Sequence, residues 1–181
     1  MTTFRSATYQ ISIVSGSLSA NGTAQRGIDG TWIGQALVLD CTGDPRYVCD
    51  STMDVGELRY IRFDFTSAGA GDTVDAEWVD PPKVNATVPI RGTFADQTLT
   101  LGADLDVIEY YRGDHAPPTT ELARVHVTLA TFTATIDDFN RLQGEIRYSM
   151  ERTRTFPNAS LGRVESGSIT LRLVDVVPAV K

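Results

Sequence analysis

Leu122-Ala123-Arg124-Val125-His126-Val127-Thr128-Leu129-Ala130-Thr131-Phe132-Thr133-Ala134-Thr135-Ile136 is the stretch on which the fold turns. In its first half Val125, Val127 and Leu129 alternate with Arg124, His126 and Thr128; in its second half the apolar residues are Ala130, Phe132, Ala134 and Ile136. Successive side chains of a strand point to opposite faces. Each half therefore has one apolar face, but the apolar parity changes from odd to even in mid-run. A flat, unbroken strand would expose half of those apolar side chains. A β-bulge or sharp bend near Leu129–Ala130 restores a single inner face, and such bends accompany sheets that curl into barrels.

The same alternation recurs along the chain. Ile61, Phe63 and Phe65 alternate with Tyr60, Arg62 and Asp64, and Ile169, Leu171 and Leu173 with Ser168, Thr170 and Arg172. Read this way, strands fall at about residues 8–18, 30–40, 58–67, 73–79, 84–93, 97–101, 107–112, 122–136, 144–155 and 168–176. Turn formers separate them: Asn21-Gly22, Asp29-Gly30, Gly69-Ala70-Gly71-Asp72, Ala95-Asp96, Pro81-Pro82 and Pro117-Pro118. Helix is scarce, with short candidates at residues 137–142 and 51–58. A second face switch is expected at Glu151–Thr153; otherwise Arg152 and Arg154 lie on a polar extension past a barrel rim. The fold class is all-β: one domain over residues 1–181, an antiparallel β-barrel of the up-and-down type. The alternative is a two-sheet β-sandwich. The face switches favour the barrel, whose strands curve from one side to the other.

Composition narrows the function. The chain has 181 residues, 41% of them apolar and 22% charged, ordinary for a globular protein. Its net charge of -7 and pI near 4.7 oppose docking on phosphate backbones or anionic membrane surfaces. No window approaches a membrane-spanning apolar run, so neither nucleic-acid binding nor membrane insertion is expected. Residues 1–19 have polar residues interspersed throughout and no apolar block before a small-residue cleavage site, so they do not read as a signal peptide. Cys41 and Cys49 flank Gly43-Asp44-Pro45, a turn-forming triplet that would let the two sulfurs meet as a disulfide; two buried thiols are the alternative. A disulfide points to a secreted or periplasmic setting with a signal removed, reduced thiols to the cytoplasm. The oligomeric state is left open.

Gly30-Thr31-Trp32, entering a strand early in an all-β chain, resembles the opening of lipocalin-type (calycin) barrels, with Gly30 and Trp32 as the matching positions. The resemblance implies an indole packed across a barrel floor and a small apolar ligand held inside. The family's arginine near the last strand would correspond to Arg172, which falls on the wet face of this register.

Few residues carry a chemical signal. There is no nucleophile elbow, phosphate-binding glycine loop or metalloprotease motif. No metal or cofactor is expected. Glu109, Tyr111, Asp114 and His115 form a possible polar site around a loop, with a histidine beside a carboxylate as a possible base. Glu145, Arg147, Glu151, Arg152 and Arg154 read as cross-strand ion pairs on a sheet surface. The leading function is non-enzymatic binding of a small, mostly apolar molecule in the barrel interior, lined by Trp32, Phe63, Phe65, Trp78, Phe132 and Tyr148. The alternatives are a structural or protein-interaction module with a filled core, and an enzyme working in the barrel mouth with a loop Asp, His or Glu.

Overall fold

The computed structural model describes residues 27–67, 72–111, 117, 119–156 and 161–179. Eight antiparallel strands close into a barrel in chain order: β1 (Gly30–Gly43), β2 (Leu58–Ser67), β3 (Thr73–Val79), β4 (Val88–Ala95), β5 (Thr98–Tyr110), β6 (Glu121–Ile136), β7 (Leu142–Arg154) and β8 (Val164–Pro178). Each strand pairs with its neighbours in sequence, and β8 returns to pair with β1. A barrel and not a sandwich is the outcome, as the switching apolar faces require.

The bend in β6 lies where its pattern demands. Leu129 pairs with Tyr148 and Thr131 with Arg147, which leaves Ala130 as the extra residue of a bulge. Val125, Val127 and Leu129 are buried before it, and Phe132, Ala134 and Ile136 after it. Ala130 itself is exposed. One extra residue thus brings odd and even positions onto the same inner wall.

A second tight point joins β1 to β8. Their register shifts between Ile33 and Gln35, and a methyl group added at Gly34 would stand 2.6 Å from the carbonyl oxygen of Asp175. The backbones touch here because Gly34 has no side chain.

Inward residues fill the barrel with rings. Phe63 lies at the centre, its ring centroid 5.1 Å from that of Phe132, 5.6 Å from Trp78 and 5.7 Å from Phe65. Trp78 meets Tyr148 edge-on at 5.0 Å, and Trp32 meets Phe65 edge-on at 6.5 Å. Edge-to-face and tilted contacts at these separations suit the ring quadrupoles and add to the gain from burial.

Four expectations need correction. The runs 97–101 and 107–112 belong to one strand, β5. Its middle, Gly102-Ala103-Asp104-Leu105-Asp106, alternates correctly, but it offers only two inner apolar residues, Ala103 and Leu105, between a glycine and two aspartates. The 137–142 candidate is not a helix: residues 137–141 form a turn closed by Asp137, whose Oδ1 accepts from the Phe139 and Arg141 amides, and Leu142 opens β7. The 51–58 candidate shrinks to a single 3-10 turn at Ser51–Met53, capped by Asp50. β7 has no break at Glu151–Thr153: its ladder with β6 runs on, and Arg152 continues the inner row of Tyr148 and Met150. The proposed strand at 8–18 lies outside the described residues.

Candidate functional site

Two places on the barrel combine space with chemistry. The first is a seam between β4 and β5. Their ladder covers only Arg91–Ala95 against Thr98–Gly102. Within that ladder Gly92 lies so close to β5 that a side chain there would overlap the Thr100 carbonyl. Beyond Gly102, β5 continues to Tyr110 paired, among the described residues, to β6 alone. Sequence explains the parting on both sides. Pro89 in β4 has no amide hydrogen to donate. On β5 the register against β6 shifts between Leu101 and Ala103, opposite the Ala130 bulge, which turns the strand away.

The parted strands leave two clefts. One, of about 670 Å³, is lined by Ala76, Pro89, Ile90, Ala103 and Leu105, with Asp64, Asp75, Glu77 and Arg91 around it. The other, of about 540 Å³, is lined by Ala86, Pro89, Leu105, Val107, Ile108 and Tyr110 among others. Pro89 and Leu105 belong to both, so the clefts form one groove along the seam. Ala86, Ala103 and Leu105 pack on the core yet remain partly exposed. The groove floor is therefore made of core side chains seen from outside. Its rim is polar: Arg91 holds the Asp75 carboxyl below its usual range through a hydrogen bond, and His126 bridges Asp104 at 3.0 Å and Asp106 at 2.9 Å.

The second place is the mouth at the other end of the seam, where the loop after β1 and the loop before β4 cover the barrel. Inward positions that are apolar lower down become charged here. Arg152 on β7 is 4% exposed, Glu109 on β5 is 0% and Glu165 on β8 is 1%. Arg152 donates to Glu109 at 2.7 Å, to Glu165 at 3.1 Å and to the carbonyl of Lys83. The Asn85 amide donates to Glu109 at 2.9 Å. Arg154 and Arg163 reach the other oxygen of Glu165 at 3.2 and 3.6 Å. Burying such charges is tolerable only because they neutralise one another and are hydrogen-bonded.

Loops are pinned over this cluster. Cys41 and Cys49 form a disulfide, so the loop after β1 is stapled to the strand it leaves. The Arg163 guanidinium carbon lies over the Tyr47 ring, 3.5 Å from its centroid, and Arg163 donates to the Tyr47 hydroxyl. Lys83 meets Asp50 at 2.6 Å, and the hydrogen bonds from Lys83 and Thr52 lower the Asp50 carboxyl to about 2. From below, Tyr148 donates to the Pro82 carbonyl at 2.6 Å, and burial pushes its hydroxyl above its usual range.

The residues nominated from sequence are dispersed among these features. Trp32, Phe63, Phe65, Trp78, Phe132 and Tyr148 pack against one another, and none lines either seam cleft. The Trp32 indole donates to the Ile28 carbonyl at 2.8 Å. Glu109 is held by Arg152, while Tyr111 packs edge-on against Phe156 at 5.3 Å. Asp114 and His115 lie outside the described residues. Arg172 faces outward, as its register implies, and pairs with Glu145 at 3.0 Å, so Glu145 is in a surface ion pair, as expected, though with a partner on β8. Arg152 is not: it faces inward, and its reading as a surface residue is overturned. Arg59, Lys83 and Glu165 were missed from sequence. The parity of Arg59 with Ile61 and Phe63 was the available signal, since it places a charge on the inner wall.

No family model, curated protein or solved structure matches this chain. Among the described residues no helix is long and apolar enough to cross a membrane, and no group of three or more His, Cys, Asp or Glu side chains is placed to hold a metal ion.

Proposed function

We propose that this protein binds a small, mostly apolar molecule without chemical turnover, and that the molecule is held in the groove where β4 and β5 part. The observation that supports this reading is the partial exposure of Ala86, Ala103 and Leu105, core side chains that would otherwise be covered by a closed ladder. A volume of about 670 Å³ lies within the usual range for small-molecule sites. The packed rings of Phe63, Trp78 and Phe132 then serve as a rigid backing for the ligand and leave the seam as the place of entry. A fold of this kind suits a role outside reducing compartments, given the Cys41–Cys49 disulfide.

The experiment is titration with a neutral hydrophobic dye such as Nile red. The wild type is expected to enhance dye emission, and Leu105→Asp to weaken binding by about tenfold or more, since a buried apolar contact is replaced by a charge. Thr133→Asp, on an outward position of β6, is the control. Equal binding by wild type and Leu105→Asp would overturn the reading.

A second reading has one observation in its favour. From Ala103 to Tyr110, β5 has no ladder partner on its β4 side among the described residues, and Ile108 and Tyr110 within that stretch are 39% and 48% exposed. Such an edge can accept an extended peptide as an added strand. Dye binding lost without any competition by extended peptides favours the small molecule; peptide binding without dye uptake favours the interaction module.

A further inference from the structure

The charged mouth is a separate feature from the seam, and its chemistry is different. A cleft of about 350 Å³ lies there, lined by Tyr47, Thr52, Met53, Arg59, Pro82, Lys83, Asn85 and Arg152. Hydroxyl, amide and cationic groups dominate this lining, in contrast to the apolar seam. Every carboxylate drawn into the surrounding network already has a cation: Asp50 has Lys83, Glu109 has Arg152, and Glu165 has three arginines. Arg59 is different. Among the described residues it has no ion pair, and its Nε is buried without a hydrogen-bond partner. The Nε of Arg152 is likewise buried and unpartnered, on a side chain only 4% exposed.

Two unsatisfied guanidinium donors at one cleft are costly. A buried polar group without a partner loses its hydration and gains nothing in return, and the loss is larger for a charged group. Arginine presents its donors in a planar fork that matches a carboxylate. One uncompensated cation calls for one negative charge. The unpartnered second oxygen of Glu109 is a buried acceptor in the same network, which opposes a dianion and suits a ligand that also carries a donor. Thr52 and Asn85 add polar partners for hydroxyl groups.

We propose that this mouth is a binding site for a hydroxylated monocarboxylate of sugar-acid size. Arg59 and Arg152 hold the carboxylate, and Lys83, Thr52 and Asn85 meet the polar body. Tyr148 and Pro82 close the cleft from the barrel side.

The test is calorimetric titration of the whole protein with glucuronate, with glucose as the uncharged probe of similar size and sulfate as a dianion. Glucuronate is expected to bind at least about tenfold more tightly than either, the difference expected of one charge-assisted contact. Arg59→Gln is expected to remove that preference while dye uptake at the seam persists. Asn85→Asp sets a negative charge at the cleft from an exposed loop position and is expected to weaken glucuronate similarly, so the proposal stays open to refutation if Arg59→Gln does not fold. Absence of glucuronate binding by the wild type, equal affinity for glucose, or unchanged affinity in both variants overturns it. Because the seam is read with a neutral dye, failure at the mouth leaves the seam reading standing, and the reverse also holds.

Discussion

Arg152 and Glu109 meet at 2.7 Å across the inside of the barrel, 43 residues apart in sequence, one on β7 and one on β5, with almost no exposure to solvent. Neither charge is tolerable there without the other. Arg152→Met should therefore cost about 3–5 kcal/mol, because Glu109 and Glu165 would be left buried with fewer counter-charges. Replacing Arg152, Glu109 and Glu165 together by apolar residues of similar volume should recover most of that loss. Urea denaturation of the single and triple variants measures both, and a triple variant less stable than the single one would refute the account.

Asp50 makes the fold acid-sensitive in a defined window. Its carboxyl falls from 3.8 to about 2 because Lys83 and Thr52 bond its charged form. A depressed carboxylate contributes stability that is fully present above the unfolded value and lost as pH falls through the folded one. Asp50→Asn should lower stability at neutral pH and flatten the dependence between about pH 4 and pH 2. Thermal melts across that range give the answer; parallel curves for wild type and variant would contradict it.

His126 works in the opposite sense. Its hydrogen bond to Asp106 raises the imidazole above its ordinary 6.5, with Asp104 assisting. The stability it supplies is complete below the unfolded value and disappears as pH rises through the folded one. An NMR titration should place the imidazole above 6.5 at low salt, lower it in Asp106→Asn, and show partial collapse of the shift in concentrated salt.

Reducing Cys41–Cys49 releases the loop that covers the mouth. The bond spans a separation of 8 residues. Loop-closure entropy for so short a span is worth about 2–3 kcal/mol. Reduction should lower the melting temperature by roughly 5–10 °C for a chain of this size. Proteolysis should then begin between residues 44 and 57, and a cut elsewhere in the reduced protein would argue against this stapling role.

Deleting Ala130 should not unfold the protein. Without it Leu129, Thr131 and Phe132 alternate in, out, in, and both flanking ladders keep their partners: Tyr148, Arg147 and Ile146 on β7, Leu101 and Ala103 on β5. What is lost is the bend that turns β5 from β4. The deletion variant should remain a β protein by circular dichroism and take up less hydrophobic dye. Undiminished uptake would separate the bulge from the seam.

The outline of this architecture is legible in residue alternation, because a curved wall with one wet side forces a two-residue period on every strand. The β6 bulge was readable for the same reason: an uninterrupted apolar face cannot change parity without an extra residue. β5 was harder. Ala103 and Leu105 fill inner positions at a seam that needs little bulk, so the strand looked like two fragments. The mouth was harder still. Arg59, Glu109, Arg152 and Glu165 sit in register with apolar neighbours, yet hydropathy reads each as surface. The burial of Glu109, Arg152 and Glu165 depends on partners contributed by three different strands, and no local window of sequence contains such a meeting.

Trp32 lies beside Pro178, and the Ala179 amide donates to the Thr31 carbonyl at 2.8 Å. The first and last strands are thus ordinary neighbours, and the ring of ladders has no natural starting point. A chain cut at the 137–141 turn and spliced from residue 179 back to residue 27 by a few glycines, which keeps the Ile28 carbonyl that Trp32 needs, should close into the same cylinder. Its breakpoint would be a matter of convenience.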